Sequence, residues 1–384
     1  MKHNWTYKKL GEVVTIERGG SPRPIQDYIT TAENGLNWIK IGDAVEGSKY
    51  ITSTKEKIKP EGLKKTRFVH KGDFILSNSM SFGRPYILAI DGCIHDGWLV
   101  LHDENQVFDK SYLYYYLSSP SIYEEFKRLA VGGVVNNLNS DIVRKVKVAI
   151  PSLSEQESIV AELDAINHLN DLQEEQLREY DRLAQSLFYT TFGDPVSNPK
   201  GWEVKKLGEV APCVKYSGDI QKRKGKYWLL NLDMVESQTG NVIEYLWVDK
   251  SEVGGSTTMF NEDYVLYSKL RPYLNKVVLP SHSGYCTTEL LPLLPCKDLH
   301  KIYLALVLRS KAFVDYIQAK VAGAKMPRVT MNDFKGFNIP LPPLSLQQTF
   351  AAQIEAIEQQ KALIRRSLDD TRTLLAARMQ YYFE

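Results

Sequence analysis

From Glu155 to about Phe188 the chain has neither proline nor glycine, and its apolar positions recur at helical spacing. Stepping alternately by four and three gives Ile159, Leu163, Ile166, Asn170, Gln173, Leu177, Tyr180, Ala184 and Leu187, of which seven of the nine are apolar or aromatic. That is a coiled-coil seam. Ser154 stands before it as an N-cap candidate, and acids fill the first turn. Adding 191 to each position gives Phe350, Ile354, Ile357, Lys361, Ile364, Leu368, Thr371, Leu375 and Arg378, six of the nine apolar. The weak points match as well, since Asn170 answers Lys361, and a polar residue in a seam fixes register at a cost in stability. The pattern predicts two long helices packed on each other, antiparallel, within one chain.

The rest of the chain has a different period. In residues 1–150, short runs such as Val13–Ile16, Trp38–Ile41, Asp73–Leu76, Tyr86–Ile90, Trp98–Leu101 and Val146–Ile150 read as strands. Gly19–Pro22 and Asp91-Gly92 read as turns. Leu113, Tyr116, Leu117, Ile122 and Phe126 mark helix over 109–129, broken at Pro120. This is a mixed α/β domain without a regular βαβ rhythm.

The chain then repeats itself. Trp5–Val13 recurs as Trp202–Val210 with seven of nine residues identical, an offset of 202 − 5 = 197. Lys71–Ser77 resembles Asn261–Tyr267, Arg84-Pro-Tyr86 answers Arg271-Pro-Tyr273, and Ile150-Pro-Ser-Leu-Ser-Glu-Gln156 answers Leu341-Pro-Pro-Leu-Ser-Leu-Gln347. The period exceeds the 20 to 50 residues of a solenoid, so it marks a duplicated domain plus helix. The expected class is α/β (α+β): mixed domains at 1–153 and 193–345, long helices at 154–192 and 346–384, and an internal pseudo-twofold duplication.

Composition adds little until it is resolved along the chain. The 384 residues are 43% hydrophobic and 24% charged, with a net charge of +2. Cys93, Cys213, Cys286 and Cys296 form no C-x-x-C pair, which fits a reducing cytoplasm. No run approaches a membrane span, and the N-terminus has no apolar stretch behind its charges. Residues 155–183, however, carry nine acids against two bases. Residues 49–71 carry eight bases against two acids, and residues 215–226 five against one. Two basic segments flanking an acidic helix form a footprint for a polyanion.

Lys55, Lys57, Lys64, Lys65, Arg67, Lys215, Lys222, Arg223 and Lys224 are the candidates for phosphate contacts. Base reading needs arginine, amides and small hydroxyls on loops. Ser21, Arg23, Gln26, Asn78, Ser79, Asn136, Asn137, Asn139, Lys325 and Arg328 lie on such stretches, and Arg84, Lys269 and Arg271 are further DNA-binding candidates. A helix of some 33 residues is roughly 50 Å long, somewhat over one DNA turn of about 34–36 Å.

Catalytic motifs are missing. Gly218 and Gly225-Lys226 are separated by six residues, and Tyr227 stands where a phosphate loop needs Ser or Thr. There is no G-x-G-x-x-G, no H-E-x-x-H and no base-methylation Asn-Pro-Pro-Tyr. Glu125-Phe-Lys127 has nuclease-like spacing but lacks a Pro-Asp partner. His95-Asp96 reads as a structural histidine.

Taken together, Phe192-Gly-Asp-Pro195 followed by Trp202-x-x-x-x-Leu-Gly-Glu-Val210, the Gly20-Ser-Pro22 loop, Trp38–Asp43, Lys71–Ser77 and the Pro-x-Leu-Ser-x-Gln helix starts resemble a type I restriction–modification specificity subunit along essentially the full length. The resemblance implies two target-recognition domains, each reading half of a split, asymmetric site in double-stranded DNA, with the helices as ruler. It implies docking of two modification subunits on the helices, for which Glu162, Leu163, Ile166, Leu177, Tyr180, Ile354, Ile357 and Leu368 are the candidates. Restriction subunits would join through them. It implies no cofactor on this chain, with S-adenosylmethionine, ATP and magnesium on the partners. The chain departs from its own symmetry: Leu346 stands where the first half has Glu155, and residues 347–379 hold four acids and five bases. An assembly scaffold and a DNA-modifying enzyme with an unrecognised site are the alternative classes.

Overall fold

The structure, a computed structural model, describes residues 5–45, 47–78, 83–130, 138–321 and 327–384. In chain order the α-helices are α1 (Lys110–Ser118), α2 (Pro120–Ala130), α3 (Ser140–Lys145), α4 (Leu153–Phe192), α5 (Leu207–Val210), α6 (Lys301–Arg309), α7 (Lys311–Lys320), α8 (Met331–Lys335) and α9 (Leu344–Phe383). The chain divides into two compact units, Met1–Gln173 with Ser367–Glu384, and Glu174–Arg366. Each unit holds one mixed domain and part of both long helices.

In the first unit a five-stranded sheet runs in the order Thr15–Arg18, Trp98–His102, Phe74–Ser77, Pro85–Leu88 and Tyr50–Ile51. Both of its faces are covered, which is why its strands read as continuous apolar runs. Phe74, Leu76, Leu99 and Leu101 pack on α1 to α3, Ile159, Leu163 and Phe383. Ile75, Trp98 and Val100 pack with Ile39, Val69 and Ile94 of a second five-stranded sheet. The outer side of that second sheet carries Trp38, Ile58 and Cys93 beneath Ile25, Tyr28 and Ile29. Pro120 separates α1 from α2, as the sequence predicts.

The second unit repeats the plan with a four-stranded sheet, a three-stranded sheet and α6 to α8. The repeated motifs make repeated contacts. Leu10 and Leu207 are both fully buried, and their amides donate to Val146 O and Phe337 O at 2.8 Å each. Tyr112 donates its hydroxyl to Ala149 O (3.1 Å), and Tyr303 donates to Pro340 O (2.9 Å).

Both long helices run forty residues, longer than the apolar pattern suggests. α4 starts at Leu153, so the cap is Ser152 and not Ser154. The Ser152 amide and hydroxyl both donate to Glu155 Oε2 (3.0 and 2.8 Å), and Glu155 N–H returns to Ser152 Oγ (3.3 Å). It stops at Gly193, whose φ of +80° suits glycine and whose amide donates to Tyr189 O (2.9 Å).

Within each unit α4 and α9 run antiparallel. In the first, Glu162 accepts from Arg378 (2.8 Å) and Gln173 donates to Ser367 (2.8 Å). In the second, Lys361 meets Asp181 (2.7 Å), while Phe192 packs on Phe350 with ring centroids 4.9 Å apart. The two predicted seams are buried or half-buried throughout, Asn170 and Lys361 included.

Candidate nucleic-acid interface

In the first domain the loop after strand Thr15–Arg18 is pressed against two neighbours. A Cβ on Gly19 would lie 2.2 Å from His95 O, and one on Gly20 would lie 2.8 Å from Lys65 O, so only glycine fits. Thr66 Oγ1 donates to Ile94 O at 2.8 Å. The packing brings Ser21, Arg23 and Gln26, the Lys64-Lys65 turn and the His95–Gly97 loop onto one surface. Lys64 and Lys65 are exposed, and Lys65 Nζ reaches Tyr28 OH at 2.8 Å. Ser21, Pro22, Arg23, Gln26, Trp38 and Asp96 contribute to an open cleft of about 740 Å³.

His95 is structural, in line with the sequence. Ile41 N–H points at its Nε2 (3.1 Å) and Gly97 N–H at its Nδ1 (2.6 Å), so a doubly protonated ring would face two donors. Burial lowers its pKa below the ordinary 6.5. Asp96 was not foreseen as a site residue. Ser21 Oγ donates to its Oδ1 (2.7 Å), which holds the carboxyl below its usual range, and Arg23 Nη2 lies 3.4 Å from Oδ2. No signal beyond an acid between two strands marks Asp96 in the sequence.

Several candidates have other roles. Asn78 is 1% exposed. Its Nδ2 donates to Asp96 O (3.0 Å) and its carbonyl accepts from Leu138 N (2.9 Å), so it supports the loop instead of reading a base. Asn139 caps α3, its Oδ1 accepting from Ile142 N (2.9 Å). Arg67 is half-buried and tied to Glu17 (2.8 Å). Lys55 is exposed, Lys57 lies half-buried in strand Glu56–Ile58, and Arg84 is half-buried. Ser79, Asn136, Asn137 and Lys325 lie outside the described residues.

In the second domain Arg223 and Lys226 exchange backbone hydrogen bonds (3.0 and 3.1 Å) across Lys224-Gly225, both with positive φ. That tight hairpin turn presents Lys222, Arg223, Lys224 and Lys226, all exposed. Lys222 lies over Tyr227 and Arg223 over Trp247, at 5.1 and 5.7 Å from the ring centroids. Lys215 is exposed nearby in sequence. A second cluster forms where Leu270 bridges Arg328 and Arg271 N–H donates to Pro327 O (2.8 Å). It joins Lys269, Arg271 and Arg328, and Arg328 pairs with Glu289 at 2.8 Å.

The helix residues named for partner docking are consumed internally. Leu163, Ile166, Ile354, Ile357 and Leu368 are at most 7% exposed, and Leu177 and Tyr180 are half-buried on the same seam. Glu162 binds Arg378 and Tyr382. A heptad pattern identifies what is buried but not against which partner. The apolar residues the helices do expose are others, Leu169, Leu172, Leu183, Leu363 and Leu374 among them, each at least 45% exposed. Among the described residues no helix is long and apolar enough to cross a membrane, and no three His, Cys, Asp or Glu side chains are placed to hold a metal.

The chain is similar to the MjaIX type I restriction enzyme specificity subunit of Methanocaldococcus jannaschii, 22% identical over 387 residues and covering 92% of this chain and 87% of that protein. The MjaVIII specificity subunit of the same organism is 20% identical over 92% of this chain and 86% of its own length. In fold it resembles the crystal structure of a type I restriction–modification S subunit from M. genitalium, with a TM-score of 0.60 at 13% identity, covering all of this chain and 97% of the other. The type I restriction modification DNA specificity domain matches residues 2–180 and again 199–370. With nearly its whole length accounted for by two copies of that domain, the chain belongs to the type I restriction–modification DNA specificity family.

Proposed function

We propose that each domain reads one half of a bipartite, asymmetric target in double-stranded DNA. The long helices set the unread spacer and dock two modification subunits, through which restriction subunits join. S-adenosylmethionine, ATP and magnesium belong to those partners, and the chain works in the cytoplasm. Lysines at Lys64, Lys65, Lys215, Lys222 and Lys224 contact phosphates, while Ser21, Arg23, Gln26, Lys269, Arg271 and Arg328 face bases.

One observation carries this reading. The two domains share scaffold contacts, yet carry their basic loops at different places. Leu10 and Leu207, or Tyr112 and Tyr303, are equivalent, whereas the Lys64-Lys65 turn lies between strands Glu56–Ile58 and Arg67–Val69 and the Lys222–Lys226 hairpin precedes strand Tyr227–Leu230. Duplicated supports with unlike loops suit two unlike half-sites. The test is selection from a randomised duplex pool by the full chain assembled with its modification subunits. A consensus of two short unlike elements at fixed spacing is expected, and a single contiguous element would refute the reading.

A further inference from the structure

We infer that two arginine–carboxylate pairs, Arg23 with Asp96 and Arg328 with Glu289, each read one C·G base pair in the major groove. The inference rests on the DNA-reading role above and adds the base that each pair selects.

The first pair stands on a fixed loop. Asp96 O accepts from Arg18 Nε (2.9 Å) and from Asn78 Nδ2 (3.0 Å), so the backbone under the carboxylate is anchored independently of its side chain. Ser21 Oγ fixes Oδ1 at 2.7 Å and leaves Oδ2 toward Arg23 at 3.4 Å. Both side chains reach solvent, 43% exposed for Asp96 and 80% for Arg23, and they stand at the open cleft. Held ionised by Ser21, the carboxylate can only accept.

The bases present two donors in the major groove, adenine N6 and cytosine N4. Adenine places the acceptor N7 beside N6, which repels a carboxylate. Cytosine has no acceptor at that edge. Its partner guanine offers O6 and N7, the match for an arginine fork. One C·G pair therefore satisfies both members of the ion pair at once.

The second domain places a carboxylate on the equivalent loop. The His95–Gly97 loop joins strand Gly92–Ile94, which pairs parallel with Leu36–Ile39, to strand Trp98–His102 beside Phe74–Ser77. Glu289 lies on the loop from Gly284–Thr287, which pairs parallel with Tyr227–Leu230, to Leu290–Leu293 beside Val265–Ser268. Its carboxylate meets Arg328 at 2.8 Å, with side chains 26% and 57% exposed. Two domains with unlike basic loops thus keep an arginine-paired carboxylate at the same point of the topology, while the arginine comes from the loop after Thr15–Arg18 in the first and from the segment before Met331–Lys335 in the second.

The experiment compares the wild-type chain, Asp96→Asn and Glu289→Gln, each as the full chain with its modification subunits, on duplexes substituted one base pair at a time. An amide matches adenine N6 and N7. Each variant is expected to lose C·G preference at one position by roughly 5- to 150-fold and to gain A·T there. The two positions fall in different half-sites. Unaltered preference, or an equal loss at every position, overturns the inference while leaving the bipartite reading intact. A wild-type complex without any sequence preference overturns both.

Discussion

Gln347 Oε1 accepts a hydrogen bond from the amide of His300 at 2.9 Å, while its Nε2 donates to Asp298 O (3.1 Å) and Pro342 O (2.8 Å). One fully buried amide thus clamps the root of α9 to the start of α6. Gln156 makes the same three bonds in the first unit, to Asp109 N (2.8 Å), Val107 O (3.0 Å) and Pro151 O (3.0 Å). Truncating either glutamine strands a buried donor and two acceptors, each costing about 1–3 kcal/mol when the site stays dry. Gln156→Ala and Gln347→Ala are each expected to lower stability by at least about 3 kcal/mol. Differential scanning calorimetry of the full chain would register this, and a Tm within 1 °C of wild type would contradict it.

The glutamine belongs to the Pro-x-Leu-Ser-x-Gln repeat, so its importance was legible in the sequence even though its partners were not. The long helices were legible for a similar reason, because nine positions at alternating steps of four and three leave little ambiguity. Asn78 was not. Its polarity and its neighbours Ser77 and Ser79 suggest a loop, yet it follows a strand buried on both faces and turns inward to hold a carbonyl. Asp96 gains its setting only when Ser21 is brought to it by a close approach at Gly19 and Gly20, a contact no local pattern encodes.

His300 caps α6 with its Nδ1 accepting from Ile302 N (3.3 Å), and burial lowers its pKa below the ordinary 6.5. The unfolded chain therefore binds the proton more readily, so stability is present above about pH 6.5 and is lost as pH falls through the lower folded value. His300→Asn keeps a capping oxygen without the titration. The variant is expected to match wild type at pH 7.5 and to lose less stability between pH 6.5 and 5. Urea unfolding at both pH values checks this, and parallel pH curves for the two proteins would count against it.

Lys222 is exposed above the Tyr227 ring and has no carboxylate within ion-pair distance among the described residues. A lysine placed in this way contributes a point charge, not a directional base contact. Lys222→Ala is expected to weaken binding to every duplex alike and to flatten the plot of log K against log salt by about 0.9. Arg328→Ala should instead relax preference at particular bases. Titrations at several salt concentrations on specific and nonspecific duplexes distinguish the two, and a base-selective defect in Lys222→Ala would remove it from the phosphate set.

Leu169 and Leu172 lie three residues apart on α4, 46% and 53% exposed, on a helix whose own seam is already filled by Leu163 and Ile166. These exposed leucines, one turn apart on an acidic helix, are the residues tested for the modification-subunit docking proposed above. The seam residues are the converse. Leu163→Ala opens a cavity in the core and is expected to cost about 2–5 kcal/mol. The double change Leu169→Glu with Leu172→Glu should leave Tm and the salt-dependent binding of nonspecific DNA by the isolated chain unaltered. It should abolish co-purification with the modification subunits and, with it, methyl transfer to the target. Because folding and intrinsic DNA affinity are read separately from assembly, retention of the modification subunits by a folded double variant would place the docking surface elsewhere on the molecule.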